Sequence, residues 1–525
     1  MNAPPVTNDV VIRRLLIENA ATFPADDYAH FEDGSVWTWS DVLAEVRGAA
    51  SVLRQAGLRQ GHRIAVMLPN GADYLRVWWA AAMLGGIVVP INPAYRGNML
   101  AHLLKLAEPM ALVTVPDYLG RFDDFIEARP DTIILSPADL RHRSQGVPDI
   151  AEPIEYWDVH AFMLTSGTTG VSKLSATTYL HLFQGGAWFV EGSGLGPDDR
   201  FLIDLPLFHL AAMYQVVATL KTRTQIVVRT RPELGRYWEI VRENRITVGL
   251  LLSTMVPYLL SQPPGPGDRD HSMRLLLSAP LPRNVEAFKS RFGIPRIRTA
   301  IGSTEVPGPI VSDDRDPLVH GYCGRARDGF EIRLVNEHDE EVAINEPGEM
   351  IVRPTYPWSI SAGYIGNDSA TAKAWRNGWF HSGDCLRRDA EGRFFFVDRI
   401  KDAVRRRGEN ISTAEVEAEL LEHPHVLEAA CVPYKAPEWI DDELKAWIVP
   451  RPGASPDFET LLRFAAERLP HFMVPRFFEI TAELPKTASG RVQKFELRER
   501  GNSPETWDRE AAGLVVTREG IRTSK

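Results

Sequence analysis

The sequence predicts an α/β fold: a large N-terminal domain of parallel βαβ sheets plus a small β-barrel or meander, joined to a small α+β C-terminal domain. Three observations predict it. Helical and strand periodicities alternate up to about residue 318, the pattern of βαβ units. From there, short strands of period two follow one another with turns between them. Past Arg399 the chain condenses into a helix, a strand, a helix and a strand.

Taken in order, Trp39-Ser40-Asp41 opens a helix with Ser40 or Asp41 as its cap, and Leu43, Val46, Ala50 and Leu53 recur at helical spacing. Residues 63–68 read as a short strand, 74–84 as a helix and 87–90 as a strand. The longest apolar run, 77–91, is shorter than the roughly 20 residues of a membrane helix and contains Gly85-Gly86 and Pro90. It therefore reads as a buried helix turning into a strand. Residues 159–164 form a mostly apolar strand, and strands at 201–205, 225–228, 248–252 and 274–278 continue the α/β texture. Residues 330–335 and 348–353 alternate as exposed-face strands. The C-terminal pattern is helix 413–421, strand 426–432, helix 458–468 and strand 477–480, and the polar residues 500–525 read as a surface extension.

With 525 residues, 44% apolar and 24% charged, the composition is that of a soluble globular protein of more than one domain. A net charge of -10 and a pI near 5.8 argue against a nucleic-acid or anionic-membrane binder. The three cysteines, Cys323, Cys385 and Cys431, lack metal-ligand spacing and imply a reducing compartment, read here as the cytoplasm. No basic region followed by an apolar core marks the N-terminus, so no secretory signal is expected.

The chemistry concentrates in a few segments. Thr165-Ser166-Gly167-Thr168-Thr169-Gly170, with Lys173 beyond, offers backbone N–H groups, four hydroxyls and little bulk after a buried strand. That suits a polyphosphate cradle with a nearby point charge, although its spacing is not that of the common P-loop. Gly302-Ser303-Thr304-Glu305 supplies a carboxylate after small hydroxyl residues; it reads equally as an Mg²⁺ holder or as a helix N-cap with an acidic first turn. Asp384, in Ser382-Gly383-Asp384, can accept from ribose hydroxyls, or is a lone Asp in a turn. Five cations between Arg399 and Arg407 would alone read as a solvated face. Residues 484–491 read as an exposed basic loop.

In this order and at these separations the segments resemble the adenylate-forming superfamily over nearly the whole chain. Asn92-Pro93-Ala94-Tyr95-Arg96-Gly97 and Leu205-Pro206-Leu207-Phe208-His209 are most similar to its bacterial acyl-CoA ligase branch, which includes carnitine/crotonobetaine-CoA ligases. The resemblance implies an ATP-dependent, AMP-forming acid-thiol ligase that makes an acyl-AMP and then a thioester of coenzyme A. ATP, Mg²⁺, coenzyme A and a small carboxylic acid are the implied ligands. No nucleic acid and no integral membrane segment are implied, and a homodimer is one option for its assembly. Residues 1–398 would form the AMP-binding domain and 399–525 a mobile C-terminal domain hinged at Lys401.

Carried over residue by residue, Thr165 to Gly170 and Lys173 would hold the β- and γ-phosphates, and Thr304 and Glu305 would meet phosphate and Mg²⁺. Ala279, Gly302 and Ser303 would complete the nucleotide site, and Asp384 and Arg399 would hold the ribose. Arg407, Gly408 and Glu409 would face coenzyme A, with Gly408 clearing the pantetheine passage. His209, Met213, Tyr214, Thr254, Met255 and Val306, together with Ala279 and Gly302, would line an acyl pocket free of Lys and Arg, which favours an uncharged hydrophobic monocarboxylate. For Met255 and Val306, ordinary core packing is the stronger reading.

Three positions depart from the family pattern. Arg491 stands where the adenylation lysine is expected, with Lys494 three residues on; Ile301 replaces an aromatic residue and Leu174 a small one. Two alternatives stay open: an adenylating enzyme serving another acceptor, and a nucleotide-binding pseudoenzyme, the reading that Arg491 favours.

Overall fold

The alternation in the first part of the chain becomes a sheet whose strand order is Ile133–Leu135, Ala111–Thr114, Arg63–Met67, Ile87–Pro90, Val159–Leu164 and Leu174–Thr178, parallel except for its last pair. The computed structural model describes residues 7–142, 146–165, 173–252, 255–279, 281–282, 284–319, 321–399, 404–406, 409–411, 413–434, 442–469, 471–486, 492–517 and 520–523. Among these, a second sheet of seven strands is also mainly parallel, and its centre is made by Leu275–Ala279, Val248–Leu252, Arg200–Ile203 and Gln225–Val228. Crossover helices cover such sheets on both faces, so their strands are largely apolar, as Val248–Leu252 shows.

The 77–91 run folds as expected. The helix Ala72–Met83 is buried on every side, with Trp78 and Trp79 at its centre, and hands over to Ile87–Pro90. Burying each of these aromatic side chains contributes roughly 1.5–3 kcal/mol. Among the described residues no helix is long and apolar enough to cross a membrane. The helix before it, Trp39–Gln55, corrects the sequence reading: its cap is Thr38, not Ser40 or Asp41. The Asp41 N–H donates to Thr38 Oγ1 at 3.2 Å and the Thr38 N–H donates back to Asp41 Oδ2 at 3.1 Å, a capping box that places Asp41 one turn in.

The change of texture near residue 318 is an antiparallel sheet, in which Phe330–Val335, Gly348–Pro354, Phe380–Arg388 and Phe394–Arg399 pair in succession as a meander. The C-terminal part has its own core, built from Val404, Val416, Leu444, Leu461 and Phe478 among others. Its sheet is Val426–Tyr434, Glu443–Pro450, Phe477–Ile480 and Trp507–Asp508. That last strand corrects the reading of 500–525 as a surface extension. Trp507 stacks on Phe458 at 5.6 Å, Arg509 is 2% exposed, and Thr506 Oγ1 accepts at 2.9 Å from the fully buried Lys445 ammonium, which also pairs with Glu479 at 2.7 Å. A polar tail here satisfies a buried cation, which composition alone does not reveal.

Candidate active site

The strands on either side of the hydroxyl-rich segment pair as an antiparallel hairpin. Leu164 and Leu174 face each other across the antiparallel pair Val159–Leu164/Leu174–Thr178, and the Thr165 N–H donates to the Lys173 carbonyl at 2.8 Å. Thr165, which is buried, and Lys173 therefore stand side by side at the base of the loop; Ser166, Gly167, Thr168, Thr169 and Gly170 lie outside the described residues. Leu174 is fully buried in the core beneath, so the bulk that departs from the family pattern is spent on packing.

Residues 361–365 dock along this hairpin. The Ile365 N–H donates to the Leu174 carbonyl at 2.8 Å, the Ala176 N–H to the Gly363 carbonyl at 2.9 Å, and Ser175 Oγ to Ser361 Oγ at 2.7 Å. The register carries Tyr364 to Lys173, whose ammonium sits 4.5 Å from the ring centroid. The Tyr364 hydroxyl donates to Glu305 Oε1 at 2.7 Å, and the Ser361 N–H takes the Glu305 backbone carbonyl at 2.8 Å. Burial and the Glu305 charge push the Tyr364 phenol far above its usual range, so it stays a donor. Lys173 and Glu305 are thus brought together, with Tyr364, which the sequence reading did not single out, between them.

The helix reading of Gly302-Ser303-Thr304-Glu305 is not realised. The segment is a turn between the strands Ala300–Ile301 and Ile310–Val311, in which Ser303 Oγ accepts from the Glu305 N–H at 3.2 Å and the Val306 N–H at 3.3 Å. A Cβ on Gly302 would meet the Gly308 nitrogen at 2.6 Å, so only glycine lets this turn close. Thr304 and Glu305 are half-buried on the turn, and Ile301 packs on the core of the antiparallel sheet. No group of three metal-ligating side chains occurs among the described residues. A single carboxylate suits Mg²⁺, which is commonly held by one or two carboxylates together with phosphate oxygens.

Asp384 lies in the strand Phe380–Arg388 rather than in a turn, and its Cα partner across the antiparallel pair is Arg399. Its N–H donates to Ser382 Oγ at 3.1 Å. Glu349, also missed by the sequence reading, holds this segment: its Oε1 accepts from the Gly383 N–H at 3.0 Å and its Oε2 bonds His381 Nδ1 at 2.9 Å. The Arg399 side chain lies outside the described residues, as do Lys401, Arg407, Gly408, Arg491, Thr254 and the Glu409 side chain.

The acyl candidates divide. His209 precedes the helix Leu210–Thr222, and its carbonyl accepts from the N–H groups of Ala212 and Met213. Tyr214, 6% exposed, shares a 3.0 Å hydrogen bond with His181 Nε2, and a Cβ on Gly185 would fall 2.1 Å from its ring, so that glycine makes room for it. Burial holds His181 down at about 3, a neutral imidazole. Met213 and Val306 are fully buried in separate cores, as the packing reading for Val306 expected, while Met255 is half-buried at the start of the helix Met255–Ser261. Ala279 ends the strand Leu275–Ala279 opposite Leu252. A buried cation, Arg327, stands near Tyr214; it donates to the carbonyls of Gln184 at 2.9 Å and Pro307 at 3.1 Å and pairs with Glu191 at 3.5 Å.

Lys494 starts the helix Lys494–Arg500 and is committed locally. It donates to Thr413 Oγ1 at 2.6 Å and pairs with Glu417 at 2.8 Å, both on the helix Thr413–Leu421. Lys494→Ala is expected to lower stability by about 1–2 kcal/mol by leaving the buried Thr413 hydroxyl and the half-buried Glu417 carboxylate underserved. Urea unfolding checks this, and unchanged stability would show that the pair is dispensable.

The comparisons with known proteins follow this geometry. The model of the AMP-binding enzymes matches residues 16–365, and that of the AMP-binding enzyme C-terminal domain matches 415–491. A feruloyl-CoA synthase of Amycolatopsis sp is 31% identical over 473 residues, covering 89% of this chain and 94% of that protein. A crotonobetaine/carnitine–CoA ligase of Escherichia coli is 28% identical over 486 residues, covering 88% and 93%. The fold is shared with ATP-bound MatB of Rhodopseudomonas palustris, at a TM-score of 0.85 and 24% identity over 94% of this chain and 99% of that one. It is shared too with an o-succinylbenzoate CoA synthetase of Bacillus subtilis in complex with ATP and magnesium, at 0.82 and 23% over 93% and 98%. From its two matched regions and these full-length relatives, the chain belongs to the AMP-binding, adenylate-forming enzymes, in their acyl-CoA synthetase branch.

Proposed function

We propose that this AMP-forming acyl-CoA ligase activates a monocarboxylic acid with an uncharged, hydrophobic tail. The observation that carries the reading is the convergence of Lys173, Tyr364 and Glu305, which brings a cation and a carboxylate together next to Thr165, where the hydroxyl-rich segment begins. ATP and coenzyme A are the co-substrates, with Mg²⁺. In this reading Thr165 to Gly170 and Lys173 hold the β- and γ-phosphates through N–H, hydroxyl and ammonium donors. Ser303 and Thr304 add hydroxyls from the facing turn, and Ala279 and Gly302 flank the nucleotide. Asp384 and Arg399, opposite each other on neighbouring strands, take the ribose. Glu305 would hold Mg²⁺, which when bound neutralises phosphate charge.

The acid's carboxylate attacks the α-phosphorus and pyrophosphate leaves, with Arg491 meeting the charge that develops on the transferring phosphoryl oxygens. The thiol of coenzyme A, passing Arg407, Gly408 and Glu409, then attacks the acyl carbon, and AMP leaves with the oxygen that joined it. Activation is needed because oxide is a very poor leaving group and AMP a good one. The tail preference rests on His209, Tyr214, Met255 and the cores behind them, and on Arg327, whose two terminal nitrogens donate to Gln184 and Pro307 and whose charge is paired with Glu191. We place the enzyme in the cytoplasm, in keeping with its three free cysteines. A panel of acids assayed for AMP and acyl-CoA tests the reading: hydrophobic monocarboxylates are expected to react, and a preference for dicarboxylates or cationic acids would refute the tail assignment.

The same proposal divides the chain into an AMP-binding domain, 1–398, and a C-terminal domain, 399–525, that turns about Lys401 between the two half-reactions. Lys401→Pro fixes φ at the hinge. Thioester formation is expected to fall ~10-fold or more relative to pyrophosphate release. Half-reactions measured separately decide it, since equal loss of both would indicate misfolding.

A further inference from the structure

We infer that Tyr364 is a positioning residue of the adenylation site: its hydroxyl orients the Glu305 carboxylate toward the magnesium of MgATP, while its ring seats Lys173. The inference rests on the reading of Glu305 as the Mg²⁺-binding carboxylate. The geometry is specific. The hydroxyl reaches Glu305 Oε1 at 2.7 Å, which fixes one oxygen and leaves Oε2 to meet a cation. The ring lies under the Lys173 ammonium at 4.5 Å. Neither contact is local in sequence, so the residue itself must be anchored, and it is. Its N–H donates to Thr371 Oγ1 at 2.9 Å, its backbone bridges to Ser175, and its ring meets Trp375 edge-on at 5.6 Å.

A carboxylate that turns freely must be ordered each time a metal binds, whereas one held by a buried donor is ordered beforehand. Glu305 sits on a turn with no regular structure of its own, so a side-chain restraint from another element is what sets its direction. Tyr364 has the reach, the proton and the rigid seat to provide it. Because the same ring contacts Lys173, the carboxylate and the ammonium keep a fixed separation, which a loop and a turn from different parts of the chain would not otherwise maintain.

The test is binding rather than turnover. Affinity for α,β-methylene-ATP is measured by calorimetry across a Mg²⁺ series and in EDTA, for the unaltered chain, Tyr364→Phe, Glu305→Gln and the double variant. Tyr364→Phe is expected to raise the half-saturating Mg²⁺ concentration by ~10-fold, the usual scale for losing a partner of a metal ligand. In EDTA its affinity should stay within about 2-fold, because the ring under Lys173 is kept. The double variant should be no worse than Glu305→Gln alone, since both changes remove one arrangement. A normal Mg²⁺ requirement in Tyr364→Phe, with a raised one in Glu305→Gln, overturns the role of Tyr364 and leaves Glu305 in place. A normal requirement in Glu305→Gln overturns the reading of Glu305, and the inference with it. Weakening that is equal with and without Mg²⁺, or effects that simply add, would make Tyr364 a packing residue only.

Discussion

Arg491→Ala lowers acid-dependent pyrophosphate release by ~100-fold or more, the usual scale for removing a charge that neutralises a developing oxyanion. Thioester formation from supplied acyl-AMP is expected to survive the same change, because the second step is proposed to use Arg407, Gly408 and Glu409 instead. The expectation rests on position and on elimination. Arg491 occupies the place of the adenylation lysine, and the neighbouring Lys494 is held by Thr413 and Glu417. Arg491→Lys should be tolerated, since an ammonium can replace one prong of the guanidinium fork at a single oxygen. Rapid-quench measurement of each half-reaction decides between the two residues. If Lys494→Ala abolishes the first step in a folded protein while Arg491→Ala spares it, the assignment is reversed.

Lys173→Ala is expected to lower kcat/KM for ATP by ~100-fold, because the cation proposed to meet the β- and γ-phosphates is lost. The structure sharpens the expectation beyond a general loss of charge. Lys173 is anchored at both ends: its carbonyl accepts from the Thr165 N–H at 2.8 Å, and its ammonium rests on Tyr364. Lys173→Arg should therefore recover only part of the activity, because a planar guanidinium stacks differently on the ring. Steady-state kinetics with ATP varied at saturating Mg²⁺ provides the check, and an unchanged kcat/KM would remove this lysine from the mechanism.

The strand Val159–Leu164 and the antiparallel texture near residue 318 were legible because each is a local signal. A continuous apolar run into a Gly/Thr/Ser turn defines Val159–Leu164, and the helices Thr413–Leu421 and Phe458–Arg468 follow from apolar spacing alone. The Thr38 cap was legible in principle as a Thr-x-x-Asp capping box and was misplaced, because Ser40 and Asp41 are themselves good caps. What could not be read are contacts made across long separations. Tyr364 meets Glu305 from 59 residues away, and Arg327 meets Gln184 from 143. In sequence Tyr364 is an unremarked aromatic in a loop, and its role exists only once residues 361–365 dock on the hairpin. The tail was misread for a related reason: Thr506 and Arg509 are polar, and they are drawn in by the charge of Lys445 and the carbonyls of Pro475 and Leu514.

The step that defines this ligase is attack of the acid's carboxylate on the α-phosphorus of ATP, so that AMP leaves carrying one of its oxygens. It is tested most directly by supplying an acid labelled with ¹⁸O in both carboxylate oxygens, together with ATP, Mg²⁺ and coenzyme A, and weighing the products by mass spectrometry. A single ¹⁸O in AMP is expected for each thioester formed, with none in pyrophosphate. Label in inorganic phosphate accompanied by ADP, or thioester formed with unlabelled AMP, would contradict it.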